Sequence, residues 1–241
     1  MMKPVRLDKF LADMEYGSRS DIKTAARKGR IQVNGQVETR TERKIDPEQD
    51  EILFDGGLAR YRRWEYYMLN KPRGVISATE DKRHRTVIDL LTGQKRKDLF
   101  PVGRLDIDTE GLLLITNDGD TAHRLLAPGK HVDKVYFAQI LGRLPDDAAA
   151  VMAKGMTLKD GTAVKSAGLE ILKTGTAGHE ILLTIQEGKF HQVKRMFEAL
   201  DCQVTYLKRL SMGSLRLDET LKPGEFRELT DEERKGLLEH G

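Results

Sequence analysis

The sequence predicts a soluble chain of two globular modules that mix short amphipathic helices with strands, the smaller module first. Three observations carry this. The chain has 241 residues, about 1.6 times the roughly 150 of a typical domain, which suits one large domain or a small unit and a medium one. Charged residues make up 33% and hydrophobic ones 39%, too apolar for a disordered chain and too polar for a membrane protein. Apolar residues recur at helical spacing in two N-terminal segments and again near residue 195, whereas other apolar runs are short and bounded by turn residues, as strands are. No run approaches the roughly 18 apolar residues of a bilayer span. The start, Met1-Met2-Lys3-Pro4 followed by Arg6, Asp8 and Lys9, is no signal core, so a cytoplasmic location is expected. The single cysteine, Cys202, excludes an internal disulfide and a cysteine-rich zinc site and reads as a packing residue.

Leu7, Phe10, Leu11 and Met14 fall on one helical stripe, giving a helix over 6–15 that ends before Gly17. Ser18 caps a second helix with Asp21 as capping-box partner, Ile22, Ala25 and Ala26 form its buried side, and Gly29 closes it. Arg19, Lys23 and Arg27 recur every four residues on this helix, so they form one cationic row that faces water or phosphate. Ile31 and Val33 then lead into Asn34-Gly35, a strong hairpin-turn signal, and Val37. Charge along the chain is blocked: residues 1–44, 60–104 and 189–216 carry net +5, +7 and +4, and acidic segments separate them although the total is only +3. Such blocks suit cationic surfaces for a polyanion, or ordinary solvated faces.

Arg6-Leu7-Asp8-Lys9, Ser18-Arg19-Ser20, the run Gly29 to Gly35 and the acidic close Asp50-Glu51-Ile52 together resemble the S4 RNA-binding domain. The likeness covers residues 3 to about 56. It implies that the second helix lies along structured RNA, with Arg6, Lys9, Arg19, Lys23 and Arg27 as RNA contacts that position the protein without reading sequence.

Gly56-Gly57 and Arg60-Tyr61-Arg62-Arg63 look like a linker, after which Tyr66 to Leu69 reads as a strand ending at Asn70-Lys71-Pro72-Arg73-Gly74. Lys82-Arg83-His84-Arg85 and Lys95-Arg96-Lys97 are basic arms or solvated loops. A buried strand over 111–116, bounded by Asn117-Asp118-Gly119, plants the acidic loop Asp106-Ile107-Asp108-Thr109-Glu110 at the edge of a core. Its acids match three early places of a calcium loop, but the twelfth place is Asn117 where a glutamate is required, so no metal is expected. A partly buried carboxylate serves otherwise as nucleophile or base, and then needs a cation beside it. Val193, Met196, Phe197 and Leu200 mark a helix over 191–200. On its wheel Lys194 flanks the apolar stripe and reaches inward, whereas Arg195 points out and suits a phosphate. His191 reads equally as cap, hydrogen-bond donor or acid. Tyr136, in a strand-like run from Lys134 to Leu141, is either a stacking surface or a core tyrosine.

Asn70-Lys71-Pro72, Gly103-Arg104-Leu105-Asp106 with Asp108-Thr109-Glu110-Gly111, Lys134-Val135-Tyr136, the run Glu187 to Phe197 and the tail Pro223 to Thr230 together resemble pseudouridine synthases of the RsuA type, which isomerise uridines in bacterial ribosomal RNA. The likeness implies an α+β fold: a small S4-type module, residues 1–59, then a catalytic domain, residues 60–241, with a large mixed, mainly antiparallel sheet flanked by helices. It puts the essential aspartate on Asp106, the active-site tyrosine on Tyr136 and the basic partner on Lys194. Spacing alone leaves Asp108 as a rival. Arg104 would help hold the extruded nucleotide, and Lys71 and Arg195 would contact RNA. No cofactor is required, because no external group is transferred. The implied partner is ribosomal RNA or an assembling subunit, bound by a monomer. The wording from His191 to Phe197, with Lys130-His131-Val132-Asp133-Lys134, points to a small-subunit target. A large-subunit target and a non-catalytic ribosome-assembly factor are the alternatives. Thr230 and Glu233 form a capping box for a last helix.

Overall fold

A computed structural model describes residues 4–14, 16–59, 64–94, 98–127, 129, 131–176 and 178–240. The expected linker Arg60-Tyr61-Arg62-Arg63 and the basic residues Lys95, Arg96, Lys97 and Lys130 lie outside the described residues. The chain divides into two compact units, Met1–Trp64 with Gly93–Asp98, and Glu65–Thr92 with Leu99–Gly241.

The first unit runs β1 (Val5–Arg6), α1 (Leu7–Asp13), α2 (Arg19–Arg27), β2 (Ile31–Val33), β3 (Gln36–Val37), β4 (Lys44–Ile45), β5 (Ile52–Phe54) and β6 (Gly57–Leu58). The apolar stripe of α1 supplies Leu7, Phe10 and Leu11 to a core that Ile22, Ala25 and Ala26 of α2 close from the other side. Ser18 caps α2 and Asp21 completes the box, which satisfies amide groups that the first turn leaves without partners. Asn34 and Gly35 both take positive φ, 52° and 77°, the conformation that a tight two-residue hairpin demands. The strands join in the order β3-β2-β5-β6, with β1 and β4 paired separately.

The second unit runs β7 (Tyr66–Lys71), β8 (Phe100–Pro101), β9 (Glu110–Thr116), α3 (Gly119–Leu126), β10 (Lys134–Leu141), α4 (Ala148–Ala153), β11 (Met156–Thr157), β12 (Ala163–Val164), β13 (Gly168–Gly175), β14 (Gly178–Ile185), α5 (Gln192–Glu198), β15 (Gln203–Met212), β16 (Leu215–Arg216), β17 (Phe226–Glu228) and α6 (Asp231–His240). Its centre is a nine-stranded sheet ordered β13-β14-β10-β15-β9-β7-β17, with β16 beside β15 and β8 beside β9. The sheet is mixed: β9 runs parallel to β15 and antiparallel to β7. Strand β9 is central, and from Gly111 to Thr116 all its residues are buried, as the uninterrupted apolar run requires. Helix α5 buries Val193, Met196 and Phe197 in the same core as Tyr136, Ala138 and Ile140 of β10. At the C-terminal end Thr230 accepts from the Glu233 amide at 3.2 Å and Glu233 accepts from the Thr230 amide at 2.8 Å, the expected capping box of α6. Among the described residues no helix is long and apolar enough to cross a membrane.

Candidate active site

Three neighbouring strands place the site. Tyr136 of β10 pairs with Arg209 of β15, and Arg209 pairs with Gly111 of β9, so the loop that enters β9 opens on the sheet beside the tyrosine. That loop is rigidly held. Lys71, the last residue of β7, has no exposed surface and donates to the carbonyls of Pro72, Asp106 and Thr109 at 3.1, 2.9 and 2.8 Å. The Ser77 hydroxyl donates to the Leu105 carbonyl and accepts from the Leu105 amide, both at 3.0 Å. The Thr109 amide closes a turn onto the Asp106 carbonyl at 3.0 Å. Asp106 is thereby fixed before any substrate arrives, the condition for a preorganised catalytic group.

Lys194 meets this loop from α5. Its ammonium lies 3.0 Å from Asp106 Oδ2 and 2.6 Å from Asp108 Oδ1. The rivalry between the two aspartates therefore resolves as sharing: one cation pairs with both. Burial alone would raise the Asp108 carboxyl, but hydrogen bond and charge from Lys194 hold it below the usual carboxylate range. Burial would lower the Lys194 ammonium, yet Asp108 and Asp106 keep it above its usual value. The carboxylate of Asp108 is more exposed than that of Asp106, 47% against 27%. Asp106 is the one that, with Arg104, Tyr136, His191 and Lys194, lines an open cleft that Leu105, Val193 and Leu207 also border. Tyr136 is 7% exposed; it belongs to the core and also borders the cleft. Arg104 is exposed on the rim and makes no ion pair among the described residues. Glu110, the third acid, accepts from the Tyr206 hydroxyl at 2.7 Å.

Two expected RNA contacts are corrected. Lys71 is buried and committed to three backbone carbonyls, and burial pushes its ammonium down to about 8 against the pull of the nearby acids; it cannot reach a phosphate. Arg195 does leave the apolar stripe, as the wheel requires, but the segment 160–162 covers that side. Its guanidinium pairs with Asp160 and donates to Thr162 Oγ1 at 3.3 Å and to the Phe190 carbonyl at 3.1 Å. In the first unit Arg6 pairs with Asp8 and Lys9 with Asp13, each at 2.7 Å, whereas Arg19, Lys23 and Arg27 are exposed. None of that row has an ion pair among the described residues. The roles of Lys71 and Ser77 were not apparent from spacing; the one available signal was a lysine ending a strand that is apolar from Tyr66 to Leu69.

Lys71→Met keeps the volume of the side chain but leaves three carbonyls without their donor. We expect a loss of about 1–3 kcal/mol in stability, with a lower kcat as the Asp106 loop loosens. Urea denaturation and steady-state kinetics on one preparation check this; unchanged stability and kcat would show that the clamp is dispensable.

Comparison with known proteins agrees with this geometry. Residues 65–199 match the family model of RNA pseudouridylate synthases, and residues 5–52 match that of the S4 domain. An uncharacterised RNA pseudouridine synthase of Bacillus subtilis is 47% identical over 231 residues, covering 95% of this chain and 96% of that one. Ribosomal small subunit pseudouridine synthase A of Escherichia coli is 41% identical over 231 residues, covering 95% and 98%. Among solved structures, a pseudouridylate synthase crystal structure superposes with a TM-score of 0.67 at 36% identity, covering 97% of this chain and 99% of that one. With the Asp106–Lys194 pair in an open cleft and both modules matched, the chain belongs to the RNA pseudouridylate synthase family, with an S4 domain at its N-terminus.

Proposed function

We propose that this chain isomerises a specific uridine of small-subunit ribosomal RNA, with Asp106 as the catalytic carboxylate. The observation that carries the reading is the ion pair of Asp106 with Lys194 in a cleft bordered by Tyr136 and Arg104. Isomerisation breaks the bond from uracil N1 to the sugar, rotates the base, joins C5 to the same sugar carbon and removes the C5 proton, while N1 gains one. No group enters or leaves, so side chains suffice. A uridine inside folded RNA must first leave its stack, which costs a few kcal/mol. The largely buried ring of Tyr136 offers the extruded base an aromatic surface, and Arg104 on the rim offers its phosphate a cation. Asp106 then initiates breakage of the glycosidic bond, with Lys194 balancing the charge of the carboxylate at 3.0 Å.

The S4 module supplies affinity. Arg19, Lys23 and Arg27 form an exposed row on α2 that makes no ion pair among the described residues, suited to neutralising phosphates without reading bases. The small-subunit target is supported by the wording from His191 to Phe197 and by the similarity to small-subunit enzymes. The purified protein should release tritium from 5-tritiated uridine in small-subunit ribosomal RNA or its assembly particles, and none from large-subunit RNA. Release from large-subunit RNA alone would overturn the target.

A further inference from the structure

The mouth of the cleft carries a feature that this chemistry does not use. Phe190 is 73% exposed, and its ring stacks on the His191 imidazole, with centroids 3.8 Å apart and planes 18° from parallel. His191 in turn borders the cleft and places Nε2 3.6 Å from Asp106 Oδ1. The two rings thus form a short column that begins at the catalytic carboxylate and ends in solvent.

The column is built, not incidental. Gln192, 4% exposed, accepts from the Lys189 amide at 2.9 Å and donates to Glu187 at 3.0 Å. Arg195, anchored by Asp160, donates to the Phe190 carbonyl at 3.1 Å. His191 takes a left-handed φ of 50°, which only a well-determined surrounding sustains in a non-glycine residue. The segment is fixed on both sides of Phe190, yet the ring itself is largely open to solvent and stacks on one described ring, that of His191.

We propose that the Phe190–His191 stack is a nucleobase ledge: it receives the base that flanks the extruded uridine. Extrusion strips that neighbour of its stacking partner, and the outer face of Phe190 supplies a replacement at the place where the RNA enters. Every base has a π-face, so the ledge accepts any base without reading it. This rests on the proposed reaction at Asp106.

The test uses a hairpin of small-subunit ribosomal RNA carrying the modified uridine, and the same hairpin with an abasic site on the 5′ or the 3′ side of it in turn. Phe190→Ala should raise KM on the intact hairpin by about 10-fold, the size of one lost base stack, with kcat little changed. One abasic hairpin should raise the KM of the parent enzyme by a similar factor, and Phe190→Ala should add nothing on that RNA, because both remove the same contact. Phe190→Trp should restore binding. Parental kinetics for Phe190→Ala, or losses that multiply on both abasic hairpins, would overturn the ledge. Failure of the underlying reading looks different: the unaltered protein would isomerise no uridine in any of these RNAs.

Discussion

Asp106→Asn should abolish turnover, by on the order of 10⁴-fold or more, as loss of a group central to the chemistry does. The asparagine is nearly isosteric and leaves the loop intact, because Lys71 and Ser77 hold it through backbone atoms of Pro72, Leu105, Asp106 and Thr109. What disappears is the negative oxygen that faces the cleft 3.0 Å from Lys194. RNA affinity should stay within about twofold of the parent, since phosphate contacts dominate it. Tritium release and a filter-binding titration on the same RNA separate the two quantities. Retained turnover would remove Asp106 from the chemistry and turn attention to Asp108, the other carboxylate on Lys194.

The elements around this pair were legible to different degrees. Helices α1, α2 and α5 announce themselves through apolar stripes, and the Ser18–Asp21 box and the Asn34-Gly35 turn are local chemistry that acts within a few residues. Strands β7, β9 and β10 follow from short apolar or alternating runs. The order of the sheet does not, because β9 and β15 pair in parallel across nearly a hundred residues, and periodicity within a segment carries no partner. The inward reach of Lys194 was legible, since a wheel fixes the direction of a side chain from its own helix. The fate of Arg195 was not: the wheel gives its direction, but only the fold brings Asp160 and Thr162 over that face. Lys71 misled for a related reason. A lysine just before the Pro72-Arg73-Gly74 turn suggests an exposed cation, whereas here the strand runs under the Asp106 loop and the ammonium replaces water at three carbonyls.

Gly111→Ala should destabilise the second unit by about 3–5 kcal/mol, a large part of the roughly 5–15 kcal/mol that holds a domain together. Gly111 has φ of +102°, and a Cβ there would lie 2.2 Å from the Arg209 carbonyl oxygen and 2.7 Å from its amide nitrogen. Both obstacles are backbone of the neighbouring strand, so no side chain can turn aside; β9 must move away from β15 or twist. Either movement strains the register that aligns Gly111, Arg209 and Tyr136 and displaces the loop carrying Asp106. The melting temperature should fall by roughly 10 °C, with a loss of activity even where the protein remains folded. Gly119→Ala is the control: it opens α3, has nothing within 4 Å of the added Cβ and should be neutral or slightly stabilising. Equal melting temperatures for the two variants would mean that the close approach of β9 and β15 does not matter.

The reaction assigned to the Asp106 cleft is tested most directly inside the cell. Carbodiimide mapping of ribosomal RNA from a strain lacking this protein should show the loss of one pseudouridine in the small-subunit RNA. The unaltered gene should restore it, and the Asp106→Asn gene, expressed to the same level, should not. Restoration of that pseudouridine by the Asp106→Asn protein would contradict the account.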